Sequence, residues 1–377
     1  MRLVVFGSGH PFRGGVARTT TEMVSALEGR GHEVLYLTPR RQYPSWLFPG
    51  ASDRDPGACR RLECAEPVLE PMNPLTWAAS RRQAEAFAGD AWVIPYWTWA
   101  WAVLWRFLLR GVRPPVVAVV HNPVDHDAGM LRRWAARSVL GRCQVLFTHA
   151  ASLERHLAEA YPGVPTGSYP FPPTAVGPLP DRAAARAALD LPADRRVALF
   201  MGLIRPYKGV DLLIEAVAKL PADSDWLLLV AGEPWGGLES ILRQQVQDRG
   251  LVNRVRLALQ WVPEVEMPGL LAAADLVVLP YRSGSQSAVA PMALAAGVPV
   301  LTTDVGGVAE IVRHGIDGWV VEPGSVDELA TALVELDHPT LERLGRGAAD
   351  GCGRFTWDGY AGALDELIST MVRRSDN

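Results

Sequence analysis

Lysine is almost missing from this sequence. Its 377 residues include 37 basic side chains, and only Lys208 and Lys219 are lysines. Cysteine is scarce as well: Cys59, Cys64, Cys143 and Cys352, with no C-x-x-C pair. This excludes a disulfide-stapled scaffold and a zinc cluster of the usual spacing, and it reads as free thiols in a reducing, cytoplasmic compartment. An excess of positive charge is absent too. The formal net charge is −4, so no strongly basic domain points to a nucleic-acid partner. Long apolar runs are also missing. The nearest candidate, residues 91–109, is broken by Pro95 and Arg106. It reads as a strand at 92–97 followed by a helix, rather than a membrane span. Its tryptophans keep peripheral contact with a membrane, or with an acceptor, open beside plain core packing. The opening residues, MRLVVFG, carry no cleavage pattern and read as a strand.

What is present is a repeated alternation. Apolar runs at 3–6, 33–37, 116–120 and 144–147 read as strands, with helical spacing at 19–30 between the first two. Residues 162–180 are rich in Pro and Gly and read as a linker or exposed loop. Helical spacing at 181–191 leads into a second alternation. Strands are expected at 197–201, 226–231, 255–259, 276–279 and 298–302. Helices are expected at 210–220, 238–248, 264–273, 288–296, 307–314, 327–335 and 340–351. A last amphipathic helix spans 357–373, and Thr356 is placed to cap it. The expected class is α/β, as two Rossmann-like doubly wound domains facing a cleft. The boundaries read as 1–178, 186–354 and a terminal helix at 355–377.

Three segments carry candidate chemistry. HPFRGGVAR, residues 10–18, follows the first strand and opens the first helix. Gly14 and Gly15 let backbone approach a bulky anion at a helix N-terminus. The glycine spacing does not match the dinucleotide fingerprint. GLIRPYKG, residues 202–209, follows a strand and places Arg205 and Lys208 in one loop. Two close cations suit a diphosphate, arginine as a planar fork and lysine as a point charge. The third segment is a small polar loop at 284–287 that opens a helix, so the amides of Ser287, Ala288 and Val289 form a second anion-binding position. His121, Asp125, His126 and Asp127 are all potential metal ligands. Pro123 breaks any regular helix there, and a loop is the preferred reading, with no metal.

These segments together resemble the retaining family-four glycosyltransferases of GT-B fold. The resemblance rests on the Gly-Gly loop, the strand ending Val119-Val120-His121, and GLIRPYKGVDLLIEA. It continues through Gln260-Trp261-Val262-Pro263, AAADLVVLPY, ALAAGVPVLTTDVGGVAEIV and the Phe355-Thr356-Trp357 helix. HPFRGGVARTT and RQYPSWLFPGASDRDP are similar to a bacterial branch of that family. The resemblance implies a nucleoside-diphosphate sugar, UDP- or GDP-linked, as donor, a hydroxyl acceptor, retention of configuration and no cofactor. It implies that Arg205 and Lys208 hold the pyrophosphate and stabilise the leaving diphosphate. Gly14, Gly15 and Gly202 would lie near the phosphates and His121 near the donor sugar. Trp261 and Val262 would border the nucleobase, and the terminal helix would return to the N-terminal domain. A donor phosphate oxygen would accept the acceptor's proton, so no protein base is needed.

The sequence departs from the family twice. The usual pair of glutamates, eight positions apart, falls at Gly284 and Met292. Gln286 and Ser287 are then the side chains left to meet the sugar, and Met292 cannot accept a ribose hydroxyl as a carboxylate does. Leu203 stands where the loop arginine often sits, with Arg205 two residues later. The competing readings are a non-catalytic nucleotide-sugar-binding module and a nucleotide-sugar epimerase or hydrolase. Residues 39–58 and 91–111 are idiosyncratic, and Trp46, Trp92, Trp97, Trp99, Trp101 and Trp105 there either stack on sugar rings or pack a core.

Overall fold

Runs such as Val116–Val120 and Trp226–Ala231 are apolar throughout, and every position in them is buried. Strands of this kind need cover on both faces, which parallel sheets with crossover helices supply. The computed structural model describes residues 1–42, 53–55, 62–122, 129–174 and 177–375. It divides into two units, Met1–Pro172 with Thr356–Asn377, and Pro173–Phe355.

The first unit begins with β1 (Arg2–Phe6), α1 (Gly15–Gly29), β2 (Glu33–Pro39), β3 (Ala65–Leu69) and α2 (Pro74–Phe87). It continues with β4 (Ala91–Tyr96), a 3-10 turn (Trp99–Trp101), α3 (Ala102–Leu108), β5 (Val116–Val120), α4 (Met130–Leu140), β6 (Val145–Thr148), α5 (Ala151–Ala160) and β7 (Thr166–Ser168). Its seven strands run in the order β3-β2-β1-β4-β5-β6-β7 and are parallel throughout. One face packs on Trp77, Leu104, Trp105, Val139 and Leu157 from α2 to α5. The other packs on Met23, Val24 and Leu27 of α1, and on Tyr360, Leu364 and Ile368 from the end of the chain.

The second unit contains α6 (Arg182–Ala188), β8 (Arg196–Met201), a 3-10 turn (Pro206–Lys208), α7 (Val210–Lys219), β9 (Trp226–Ala231), α8 (Leu238–Asp248) and β10 (Val255–Ala258). It goes on through α9 (Met267–Ala273), β11 (Leu276–Leu279), α10 (Val289–Ala295), β12 (Val300–Thr303), α11 (Gly306–Ile311), β13 (Gly318–Val321), α12 (Val326–Glu335) and α13 (His338–Asp350). The strand order is β10-β9-β8-β11-β12-β13, again all parallel. α14 (Trp357–Ser375) then completes the first unit. Its first turn is capped as the sequence suggests, with the Gly359 N–H donating to Thr356 Oγ1 at 3.0 Å.

Some elements differ from the sequence reading. α1 starts at Gly15 rather than near residue 19, and within it Thr19, Thr20 and Thr21 return their hydroxyls to carbonyls four residues back. β7 lies inside the stretch read as linker, where the Thr166–Ser168 backbone pairs with β6. Of the tryptophans, Trp92, Trp101 and Trp105 are fully buried, whereas Trp99 is exposed. Trp46 and the 123–128 loop, with the metal alternative drawn on it, lie outside the described residues. Cys64, Cys143 and Cys352 are free thiols, and Cys59 also falls outside the described residues.

Candidate active site

The second unit assembles the phosphate end of the predicted site at the carboxyl end of β8. Gly202 leaves the strand with φ 119°, and its N–H still donates to Ala231 O at 3.0 Å. A left-handed backbone favours glycine there. The loop then turns through Pro206–Lys208, and Gly209 (φ 69°) opens α7. A Cβ on Gly209 would lie 2.0 Å from Pro280 O, so only glycine lets the loop reach the end of β11. From that side Arg282 clamps the turn. Its backbone N–H donates to Tyr207 O at 2.7 Å, and its guanidinium donates to Pro206 O at 2.9 Å and to both Asp211 oxygens.

This clamp aims Lys208 inward. Its Nζ lies 3.6 Å from the position a Cβ on Gly202 would take, and Val289 Cγ2 is 3.8 Å from the same point. The ammonium also sits 5.5 Å from the centre of the Tyr281 ring. Among the described residues no carboxylate and no hydrogen-bond acceptor pairs with it. Burial lowers its pKa from the ordinary lysine value, and Arg205 adds to the decrease. A desolvated ammonium that meets no counter-ion among the described residues is suited to an anion by charge and by geometry. Arg205 stacks on Trp235, with its guanidinium carbon 3.7 Å from the ring centre.

The 284–289 loop meets the same neighbourhood. Tyr281 Oη and Ser287 Oγ are 3.2 Å apart, and burial pushes the Tyr281 hydroxyl up to about 12. The Val289 N–H donates to Ser287 Oγ at 3.2 Å. Of the three amides the sequence put forward, this one is therefore engaged within the turn. Ala288 is the N-cap residue of α10. The Gly306-Gly307 turn explains itself here, since a Cβ on Gly306 would lie 2.3 Å from Gly284 O, and Gly307 N–H donates to Ser285 O at 2.8 Å. Gln286 is half-buried in this loop. Met292 is buried in the core of the unit, and Val262 packs into the same core beside half-buried Trp261.

In the first unit, Gly14 is the N-cap of the fifteen-residue α1 and Gly15 its first residue; a Cβ on either would meet open space. No side chain caps this helix start, so its first amides face outward. His121 follows β5, and its N–H donates to Tyr96 O at 2.8 Å at the end of β4. The ring is buried, which pushes its pKa down to about 3 and keeps it neutral. The His149 ring, after β6, lies 4.7 Å from it and stacks on Tyr360 of α14. Burial, and then His121, hold His149 well below the usual imidazole range.

Sequence reasoning missed Trp235, Tyr281 and His149. Tyr281 closes the AAADLVVLPY motif and could have been found there. Trp235 follows Pro234 in a loop with no local signal, and His149 shows itself only through its ring contacts.

Two family profiles match the chain in succession. "Glycosyltransferase Family 4" matches residues 13–167 and "Glycosyl transferases group 1" matches residues 181–349. Among curated proteins, the D-inositol 3-phosphate glycosyltransferase of Thermobispora bispora is 37% identical over 203 residues, covering 51% of this chain and 47% of that protein. Its counterpart in Mycobacterium tuberculosis strain H37Ra is 39% identical over 191 residues, covering 49% and 39%. The chain thus spans about half the length, or less, of the curated relatives it matches. Among solved structures, sucrose-phosphate synthase from Thermosynechococcus elongatus superposes with a TM-score of 0.80 at 20% identity, covering 99% of this chain and 100% of that one. HepE from Anabaena, in complex with UDP, gives 0.76 at 20% identity, covering 98% and 100%. At that identity these two structures establish the shared fold.

Proposed function

We propose that this chain, which belongs to the family-four glycosyltransferases of GT-B fold, transfers a sugar from a UDP- or GDP-sugar donor to a hydroxyl acceptor with retention of configuration. One observation carries the reading: Lys208 holds a desolvated ammonium, unpaired among the described residues, beside Gly202, Val289 and Tyr281. When the bond between the sugar's anomeric carbon and the diphosphate breaks, negative charge grows on the departing phosphate oxygen. A preorganised cation that meets no other anion stabilises that charge more in the transition state than in the ground state. Arg205 supplies the second cation on the same turn, stiffened against Trp235. The acceptor's oxygen forms the new bond to the anomeric carbon, and its proton passes to a phosphate oxygen of the leaving diphosphate. His121, neutral in the folded chain, is suited to hydrogen-bond a sugar hydroxyl rather than to pair with a charge.

A second reading is favoured by one specific feature. Gly284 and Met292 occupy the positions of the family's glutamate pair, and Met292 is buried in the core. A non-catalytic nucleotide-sugar-binding module would keep Lys208 and lose the carboxylates. Release of nucleoside diphosphate separates the two. UDP-glucose, found in complex with the Anabaena protein of the same fold, is offered first, then GDP-sugars, with and without polyol acceptors that include inositol phosphate. Diphosphate release stimulated by an acceptor supports transfer. Tight donor binding with no release under any condition supports the module, and a free epimerised sugar nucleotide supports an epimerase.

A further inference from the structure

The first unit carries a surface that the donor chemistry does not use and that its own packing covers only in part, the Phe107 ring lying 5.7 Å from that of Trp77 on α2. It is formed by the Trp99–Trp101 turn, α3 and α4. The inward faces of these helices are filled: Leu104, Trp105 and Leu108 on α3, and Ala135, Ala136, Val139 and Leu140 on α4, are all buried in the core. An ordinary surface helix is polar on the side opposite its core stripe. Here Val103 and Phe107 of α3, with Arg110 just beyond its end, form an outward stripe at i, i+4 and i+7, and Met130, Trp134 and Arg137 form the same stripe on α4. Trp134 is 58% exposed, Trp99 44% and Phe107 40%.

The two stripes are joined by arginines set over aromatic rings. The Arg106 guanidinium of α3 lies 5.3 Å from the Trp134 ring of α4, and that of Arg132 lies 5.9 Å from Trp99. Cations and rings therefore alternate across one face. The local charge is one-sided. Residues 99–122 and 129–142 contain seven arginines and neither aspartate nor glutamate; the segment between them adds Asp125 and Asp127. Yet the whole chain is negative, so this positive face is a local concentration.

We propose that this face docks the first unit on an anionic phospholipid bilayer. Exposed tryptophans take up the headgroup depth of a bilayer, where a ring can be half apolar and half wet. Arginine stems lie along apolar surface while the guanidinium reaches phosphate. The short α3 and α4 would lie in the interface plane, and among the described residues no helix is long and apolar enough to cross. A nucleic acid would satisfy the arginines but leave Val103, Met130 and Leu131 without partners; a bilayer satisfies both. This inference is separate from the donor reading, because its surface shares no residue with the Lys208 site.

Cosedimentation of the full chain with phosphatidylcholine vesicles, with and without phosphatidylglycerol, tests it. The chain should partition onto the phosphatidylglycerol vesicles, weakly onto phosphatidylcholine alone, and less as salt rises. Arg132→Glu with Arg133→Glu, both exposed positions, should lower partition by at least ~30-fold. Trp134→Ser should also lower it, and this variant is read at high salt, where charge is screened. Circular dichroism checks that the variants stay folded. No partition of the wild-type chain onto phosphatidylglycerol vesicles overturns the proposal, as does equal partition of the charge-reversed variant. A dimer in light scattering that Trp134→Ser dissolves, without vesicle binding, would reassign the face to self-association. Turnover with a water-soluble acceptor should be unchanged in these variants, so failure of the donor reading and failure of docking are told apart.

Discussion

The two lysines of this chain stand in opposite circumstances. Lys219 is exposed and paired with Asp327 on the surface of the second unit. Lys208 is turned inward and meets no counter-ion among the described residues. A surface pair of the first kind contributes little, whereas an unpaired desolvated cation costs stability unless a ligand completes it. Lys208→Ala should therefore cut diphosphate release by at least ~100-fold, as loss of a transition-state charge contact does. The same change should leave the chain as stable or slightly more so. Steady-state turnover beside urea denaturation checks both, and near-normal turnover would overturn the site. Lys208→Arg should not restore the rate, because a planar guanidinium fork does not place its charge where the compact ammonium does.

The histidine pair is the second residue-level device. His121 is held at about 3 and His149 is displaced the same way, both by burial first. Both rings titrate near ~6.5 in an unfolded chain. Between those values the unfolded state binds protons that the folded state refuses. Stability is thus full above about pH 6.5 and falls as pH drops toward about 3. Urea midpoints followed by tryptophan fluorescence should decline between about pH 7 and about pH 5. His149→Gln should flatten that decline, and an unchanged slope would remove the pair from the account. Arg205, Lys208 and Gly202 were legible because they sit within seven residues of one another. His149 was not, because its ring contacts, to His121 and to Tyr360, join positions far apart in the chain, whereas Tyr281 was within reach at the end of the AAADLVVLPY motif.

At the scale of elements, glycine decides whether the Lys208 turn can exist. The turn passes so close to the end of β11 that a Cβ on Gly209 would overlap Pro280 O, and a Cβ on Gly232 would lie 1.9 Å from Gly202 O. Gly209→Ala should push the turn off the Arg282 clamp and cost about 1–3 kcal/mol of stability in the second unit. It should also weaken donor binding by ~10-fold or more, measured by calorimetric titration with UDP or GDP. Donor affinity equal to wild type would show that the close approach does not position Lys208. The elements read correctly from sequence are those with strong periods: the central strands and the helices of the second unit. Three strands went unread, and all three are sheet edges. β3 carries Pro67, β7 is three residues around Gly167, and β13 is four residues long. Edge strands are short and tolerate proline and glycine, so they carry little apolar signal. α4 went unread for the opposite reason: its outward Met130, Leu131 and Trp134 blur the amphipathic period.

The chain's last helix belongs to the first unit. The chain leaves the first unit at Pro172 and returns at Thr356, and α14 then covers one face of the first sheet. Tyr360, Ala361, Leu364 and Ile368 are buried in one cluster with Leu3, Val5, Val93, Val119 and Phe147. Arg30 pairs with Asp358 at 2.9 Å, and Tyr360 also stacks on His149. The amphipathic pattern of 357–373 shows a helix with one apolar face, but nothing in that pattern tells which sheet it covers. The consequence is that the first unit cannot complete its core until residues 357–368 have arrived, although the whole second unit lies between. Leu364→Ala should then act on one unit only. Removing a fully buried leucine costs about 2–5 kcal/mol, and the loss falls on the sheet of β1, β4, β5 and β6. Calorimetry of the intact chain should show one transition moved down while the other holds. Leu333→Ala, equally buried in the second unit, should move the other. Adding UDP or GDP should raise only the transition that Leu333→Ala lowers, since ligand stabilises the unit that holds Lys208. If both transitions shift together in either variant, the two units unfold as one, and the independence drawn from their separate cores fails.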